Sequence, residues 1–214
     1  MTGRQAIALA LAFLAAGGVQ AKSGPVWQVE RTADPITGRS SCVVAVHDRA
    51  AGLSFTRSGG LYPMVEMNSQ FGLLVGVGSG GRIRLPSGDI LWRVDALPYR
   101  ELRAADNPVG DRPDMPADTV AGVTAQALRM SRAMTATATL ASGEAARAML
   151  DKMRAGHTLQ FRQAAAASVY GMPQESMVLT GQITAKGLHP YPLDASFRAG
   201  LAACGIDDRT GAAR

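Results

Sequence analysis

The stretch FGLLVGV at residues 71–77 contains the longest apolar alternation in this chain. Its alternate positions are Phe71, Leu73, Val75 and Val77. Because successive side chains of a β-strand point to opposite faces of a sheet, a period of two is typical of a strand with one buried face. The stretch therefore predicts a β-strand, and the same period recurs on both sides of it.

Shorter alternating segments precede this strand. Trp27 and Val29 lead into a cluster of turn-forming residues at 34–38, and the alternation resumes at 42–46. Two alternating segments on either side of such a cluster predict a β-hairpin. A further short strand is expected at 64–67.

Alternation also continues after the strand at 71–77. The glycine-rich residues 78–81 predict a hairpin loop, and strands are expected at 83–85 and 90–94. Leu159 and Phe161 alternate again later in the chain. Short strands at this spacing predict a mainly β fold with peripheral helices, arranged as an antiparallel β-sandwich or partly open barrel.

Two to three helices are expected in the C-terminal half of the chain. Residues 104–118 are rich in Asp, Pro and Gly and have no apolar periodicity, so they predict a mobile loop. After this loop, apolar residues recur near helical spacing at 120–134, and Asp118 is a candidate N-cap. These features predict the first helix.

The other two helices have clearer ends. Ser142 is a candidate N-cap for the second helix, and Gly156 is expected to end it in a left-handed conformation. Its predicted buried face consists of Ala146, Met149, Leu150 and Met153. A last helix is expected to follow Asp194 and to end at Gly205. Its predicted inward-facing stripe consists of Phe197, Leu201 and Cys204.

Residues 1–21 are typical of an export signal. Arg4 precedes an apolar stretch at 6–16, and the small residues before Lys22 predict cleavage between Ala21 and Lys22. The apolar stretch is shorter than the roughly 20 residues of a membrane-spanning helix. We therefore predict a signal peptide at 1–21 and a single β-rich domain at 22–214, periplasmic or secreted, with no transmembrane segment in the mature chain.

Cys42 and Cys204 are the two cysteines of the chain. In an exported protein, two cysteines predict a disulfide bond, here between the N-terminal strands and the last helix. Closing so long a loop removes at most about 5 kcal/mol of unfolded-chain entropy. A reactive or metal-binding thiol is the alternative, but neither cysteine has a second ligand beside it in the sequence.

The charge balance argues against a nucleic-acid partner. The chain has 22 basic and 17 acidic residues, and its net charge of +5 is small and not clustered. The methionine pairs at 64–67 and 149–153 fit core packing better than copper binding.

The candidate motifs for cofactor chemistry lack the context that this chemistry needs. Residues 76–81 match the dinucleotide pattern G-x-G-x-x-G, but alternation and not a helix follows them, which favours a hairpin loop. His47, His157 and His189 have no partner at metal-ligand spacing. We therefore predict no cofactor, no metal site and no catalytic residue.

Two other functions remain open. A periplasmic hydrolase would assemble its site by folding from His47, from Asp48 or Asp95, and from a serine, which requires that these side chains come within about 3 Å of one another. A solute-binding module would use the arginines.

Several short motifs recur together along the chain. They are Trp27-Gln28-Val29, Thr37-Gly38 before Cys42-Val43-Val44, Trp92-Arg93-Val94-Asp95, a predicted helix at 145–154 before Gly156-His157-Thr158-Leu159-Gln160-Phe161, and the final Leu201 and Cys204. Together they resemble the invasion-associated locus B family of exported bacterial proteins. This resemblance implies a β-sandwich with peripheral helices, no assigned enzymatic activity, and a role in cell-envelope or host contact. It carries over no catalytic residues.

We therefore expect an exported, non-enzymatic binding or envelope-associated domain. Its expected partner is a protein or another envelope component that the sequence does not identify.

Overall fold

A computed structural model describes residues 26–46, 61–80, 84, 86–108, 120–164, 183–184, 187–188 and 190–206. The strands are β1 (Trp27–Ala33), β2 (Ser40–Val46), β3 (Leu61–Asn68), β4 (Gly72–Ser79), β5 (Ile90–Val94), β6 (Arg100–Leu102), β7 (Ala138–Ser142), β8 (Thr158–Gln163), β9 (Ile183–Thr184), β10 (Gly187–Leu188) and β11 (Tyr191–Pro192). The helices are α1 (Val120–Thr135), α2 (Gly143–Ala155) and α3 (Ala195–Ala203), and a 3₁₀ turn spans Ala104–Asp106.

The predicted mainly β fold with peripheral helices is confirmed. One antiparallel sheet has five strands in the order β1-β2-β3-β4-β7, and a second has four in the order β11-β8-β5-β6. Strands β9 and β10 form a separate antiparallel pair. The described strands do not close into a barrel. None of the described helices is long and apolar enough to cross a membrane.

The stretch at 71–77 becomes β4, with β3 on one side and β7 on the other. One row of the large sheet crosses four strands, in register, through Val44, Val65, Val75 and Ala141. All four side chains are buried. Because side chains alternate between the faces of a sheet, this row places the apolar positions of each strand in the same core.

The predicted first hairpin is confirmed, with β1 paired to β2. Asp34 shapes its turn, because its carboxylate accepts hydrogen bonds from Ile36 N and Thr37 Oγ1. Gly38 has a φ of 69°, which a glycine adopts without steric cost.

The predicted hairpin after β4 is wrong. Both edges of β4 are already paired, so the chain leaves the large sheet after Ser79 and enters the second sheet at β5. Arg84 lies outside any strand, and its neighbours Ile83 and Leu85 lie outside the described residues. The strands predicted at 64–67, at 90–94 and around Leu159 are present as β3, β5 and β8.

Helix α2 has the predicted buried face but not the predicted ends. Ala146, Met149, Leu150 and Met153 are buried. Ser142 occupies the N-cap position without a side-chain hydrogen bond. Gly156 has a φ of −92° and a ψ of 177°, so its backbone is extended and the expected left-handed termination is wrong. A glycine is required there because a Cβ would collide with Val94.

Helix α1 is present where helical spacing predicted it, but its apolar stripe is exposed. Val123 is 63%, Met130 54% and Met134 74% exposed. The helix contacts the 3₁₀ turn, and Gly122 is buried. Asp118, its expected N-cap, lies outside the described residues.

The described part of the predicted loop at 104–118 is attached to the sheets. Asn107 donates to Ala138 O and accepts from Leu140 N, and Ala104 N donates to Asp89. Residues 109–118 lie outside the described residues, and their mobility stays a prediction.

Helix α3 joins the end of the chain to its first strands. Asp194 is its N-cap and accepts from the backbone N–H groups of Ser196 and Phe197. The predicted disulfide between Cys42 and Cys204 is present, with Cα atoms 5.5 Å apart. Gly205, with a φ of 66°, follows the helix as expected.

Strand β1 is bonded to this C-terminal region as well. Trp27 Nε1 donates to Pro192 O at 2.6 Å, and Trp27 N donates to Ser196 Oγ at 3.1 Å. The rings of Trp27 and Phe197 lie 4.7 Å apart between centroids. The first and last described elements therefore share one part of the core.

Candidate binding groove

A groove with a volume of about 710 Å³ lies between α2 and the turn that follows β5. Its apolar walls consist of Val94, Ala96 and Leu97 from the strand end and turn, and Ala148 and Ala155 from the helix. Charged side chains at the groove are Asp95, Asp151 and Lys152. The groove therefore combines apolar surface with a small number of charges, as small-molecule sites usually do.

The helical wall of the groove follows from the period of α2. Ala148, Asp151, Lys152 and Ala155 are spaced i, i+3, i+4 and i+7, so they form one face of the helix. This face lies beside the buried face that contains Met149 and Met153. Packing of the buried face against the core therefore fixes the direction of the groove face.

Asp95 fixes the opposite wall. Its φ of 48° is a left-handed conformation, which is uncommon for a residue with a side chain but better tolerated by Asp. Its carboxylate accepts hydrogen bonds from His157 N at 3.0 Å, Thr158 N at 2.8 Å and Thr158 Oγ1 at 2.9 Å. In the backbone, Asp95 N donates to Thr158 O. The end of β5 is thereby fastened to the beginning of β8.

These donors keep Asp95 ionised. The hydrogen bond from the Thr158 hydroxyl, followed by that from His157 N, lowers the pKa of the Asp95 carboxyl below its ordinary value of 3.8. A carboxylate that accepts several hydrogen bonds is stabilised in its charged form. Asp95 is thus a fixed anion whose oxygens are occupied by the protein.

Lys152 is the cation of the groove. It is half-buried, and its ammonium lies 5.8 Å from the centroid of the Trp92 ring. Within the described part of the chain, no carboxylate forms an ion pair with it. Asp151, its neighbour, is directed instead to Arg154, at 3.8 Å.

Asp95, a predicted residue of the hydrolase site, lies near His157, a histidine that the prediction did not assign to that site. His157 Nδ1 lies 3.7 Å from Asp95 Oδ2, and the His157 side chain is 86% exposed. His47, Asp48 and His189 lie outside the described residues. The assembly of a hydrolase site from those residues therefore remains a prediction.

Two glycines of the glycine-rich motif allow close packing within the large sheet. Gly76 and Gly78 lie within β4, where a Cβ on Gly76 would collide with Thr139 O and one on Gly78 would contact the Tyr62 ring. Ser79, at the end of this strand, is buried. Close approach of neighbouring chain and ring atoms explains these glycines.

Arg93 and Asp95, two charged residues at the end of β5, contact different partners. Arg93 donates to Gln160 Oε1 at 2.6 Å across the strand pair, while Asp95 turns to His157 and Thr158. Among the described residues, no group of three or more His, Cys, Asp or Glu side chains is arranged to hold a metal ion.

A second, smaller cleft of about 360 Å³ lies between α1 and the 3₁₀ turn. Arg129, Arg132 and Thr135 line it from the helix, and Asn107 from the turn. Asn107 is engaged by β7, as described above, and is therefore a structural group.

Sequence reasoning did not identify the groove or Lys152. The spacing of Ala148, Asp151, Lys152 and Ala155 was a readable signal, because it marks a second helix face beside the apolar one. Asp95 and Thr158 are separated by 63 positions, and no local sequence pattern predicts their contact.

Comparisons of this chain with protein-family models, with curated proteins and with solved structures find no match. The groove and its surroundings are therefore the features of this chain that bear on its function.

Proposed function

We propose that this chain is an exported, non-enzymatic binding domain of the cell envelope, similar in role to invasion-associated locus B proteins, and that it binds its partner in the groove beside α2. The groove is the observation that carries the proposal. It joins apolar walls to a half-buried cation, Lys152, that forms no ion pair with any described carboxylate, and both walls are fixed by the core and by Asp95. Such preorganised surfaces bind without a large ordering cost.

The positions of two short motifs support this role. Trp92-Arg93-Val94-Asp95 ends β5, and Gly156-His157-Thr158 begins β8, so two segments of the family resemblance meet at the groove. The disulfide supports an oxidising compartment, periplasmic or extracellular, since such bonds are rare in the cytosol.

Export is tested by expressing the full chain in a bacterium and separating the cytoplasmic, periplasmic and extracellular fractions. The mass of the protein recovered from each fraction is then measured. We expect an extracytoplasmic product that begins at Lys22 and contains the oxidised Cys42–Cys204 pair. A full-length, reduced product in the cytosol would contradict the proposed compartment.

Binding at the groove is tested by placing a photo-crosslinking amino acid at Ala148. Ala199, an exposed alanine of α3, is the matched control position. We expect adducts with an envelope component in intact cells from position 148 and not from position 199. Equal adducts from both positions, or none from position 148, would contradict a binding role for the groove.

Hydrolysis is the second candidate function, and the Asp95–His157 pair is the observation that favours it. The 3.7 Å separation is longer than a hydrogen bond, and the carboxylate is already engaged by the backbone. An orienting carboxylate normally hydrogen-bonds the imidazole that it orients. Turnover of ester, peptide or glycoside substrates that disappears in His157→Gln would favour this candidate over the binding role.

A further inference from the structure

The charged groups of the groove differ in whether the protein already neutralises them. The Asp95 carboxylate is occupied by donors from His157 and Thr158. The Asp151 side chain is 73% exposed and directed to Arg154. Lys152 has only the face of Trp92 as a partner among the described residues. Within the described part of the chain, Lys152 is therefore a cation of the groove without a counter-ion.

Lys152 can bind an anionic ligand. Its contact with the Trp92 ring leaves the N–H groups of the ammonium without an acceptor among the described residues. Charge-assisted hydrogen bonds from an ammonium to a carboxylate are stronger than those between neutral groups. A ligand that brings a carboxylate to Lys152 would form such bonds.

The remaining surface of the groove is apolar. Val94, Leu97, Ala148 and Ala155 line it, and Leu97 is partly exposed there. The volume of about 710 Å³ falls within the range of roughly 300–1,000 Å³ that is usual for small-molecule sites. A ligand with an aliphatic body would cover this surface.

The backbone around the groove favours such a ligand over an extended peptide. Strand β5 pairs with β6 on one side and with β8 on the other. In the turn, Asp95 N donates to Thr158 O and Leu97 N donates to Val94 O. Peptides that bind as an added strand need an open strand edge, and β5 offers none.

We infer that the groove binds an aliphatic carboxylate, with its carboxylate at Lys152 and its chain along Val94, Leu97, Ala148 and Ala155. This inference rests on the proposed binding function of the groove and specifies the chemistry of the ligand. The charge-assisted contact provides orientation, and the apolar chain provides most of the buried area.

The test is a calorimetric titration of the oxidised chain with decanoate, below the concentration at which it forms micelles. Decanol is the probe with the same chain and no charge, and acetate is the probe with the charge and no chain. Tryptophan fluorescence provides a second readout, because Trp92 lies beside Lys152. We expect saturable binding of decanoate, binding of decanol weaker by about tenfold or more, and no binding of acetate.

The variants distinguish the groove from general surface charge. Lys152→Met keeps the apolar stem and removes the charge, and we expect it to weaken decanoate binding by about tenfold or more. Arg147→Met removes a positive charge from an exposed position of the same helix outside the groove. We expect this control to leave the affinity unchanged. Ala155→Leu reduces the volume of the groove and should weaken both decanoate and decanol.

Each contrary result has a specific meaning. Equal affinities for decanoate and decanol, or equal effects of Lys152→Met and Arg147→Met, would overturn the pairing with Lys152 while leaving the groove as a binding site. Absence of saturable decanoate binding would overturn the inference entirely. The crosslinking at Ala148 still decides the proposed function separately, because it does not depend on which ligand is chosen.

Discussion

Helices α1 and α2 have similar apolar periodicity in the sequence and opposite environments in the fold. The apolar residues of α2 face the core, and Met153 is 1% exposed. The apolar residues of α1 face outward, and Met134 is 74% exposed. Helical spacing therefore predicts where a helix forms but does not decide which of its faces is buried.

The difference follows from what each helix has to pack against. Helix α2 connects β7 of the large sheet to β8 of the second sheet, so it lies where apolar faces are available. Helix α1 contacts the 3₁₀ turn at Ala104–Asp106. That contact leaves the larger apolar side chains Val123, Met130 and Met134 exposed.

Helix α3 resembles α2 because its large apolar residues are buried. It is also linked to the large sheet by the disulfide bond between Cys204 and Cys42. We expect the double variant Cys42→Ser, Cys204→Ser to lose about 4 kcal/mol of unfolding free energy, since the bond closes a loop across 162 positions. Urea denaturation of the oxidised protein measures this loss. Reductant should destabilise the parent protein and leave the stability of the double variant unchanged. If the double variant lost less unfolding free energy than any α2 variant, the disulfide would not have the largest effect.

The same substitution in α2 and α1 gives the next largest effect. Met153→Ala should reduce the unfolding free energy by about 3 kcal/mol, because it opens a cavity in the core. Met134→Ala should change it by less than about 0.5 kcal/mol, because this side chain is exposed. The pair is compared by urea denaturation at the same pH. Similar losses would mean that the outer face of α1 is covered in solution.

The two glycines that flank α2 provide a finer test. Gly156→Ala should cost about 2 kcal/mol, since its Cβ collides with Val94 and the packed wall must shift. Gly143→Ala should cost about 1 kcal/mol for a different reason, because its φ is 56° while nothing lies near its Cβ. Thermal melting measures both. A left-handed requirement at Gly156 would instead be indicated if Gly156→Asn were better tolerated than Gly156→Ala.

The smallest expected effect concerns the carboxylate that joins the turn after β5 to β8. Because folding lowers the pKa of Asp95, its contribution is complete above the ordinary value of 3.8 and is lost as the pH falls through the lower folded value. We expect Asp95→Asn to reduce the loss of stability below about pH 4. The urea midpoint followed from pH 6 to pH 2 measures this slope.

The urea midpoint of Asp95→Asn should still fall as the pH is lowered, because folding also lowers the pKa values of Asp34 and Asp194. Identical slopes in the parent protein and Asp95→Asn would show that the hydrogen bonds from His157 and Thr158 do not stabilise the anion.

Local sequence patterns were sufficient for much of the fold. Alternation at 71–77 predicted β4, the cluster at 34–38 predicted the hairpin, and helical spacing predicted all three helices. The disulfide was predicted from the number of cysteines and the expected compartment. In each case the information lies in neighbouring residues or in composition, which a single sequence contains.

The errors concern contacts between distant segments. The sequence around Gly156 suggested a helix terminator, but the requirement for glycine comes from Val94, far away in the chain. The glycine-rich segment after β4 suggested a hairpin, but β7 had already taken the free edge of that strand. The groove depends on the meeting of Asp95 with His157 and Thr158, so its site could not be predicted locally.

The contacts between the first two strands and the C-terminal region join segments that lie far apart in the chain. The Trp27 indole donates to Pro192 O and packs against the tilted Phe197 ring, and Cys42 is bonded to Cys204. Pro192 follows Trp27 by 165 positions, and Cys204 follows Cys42 by 162. A ribosome therefore makes the β1–β2 hairpin long before these partners, and we expect a chain shortened before residue 190 to be less stable than the full chain and a better substrate for chaperones.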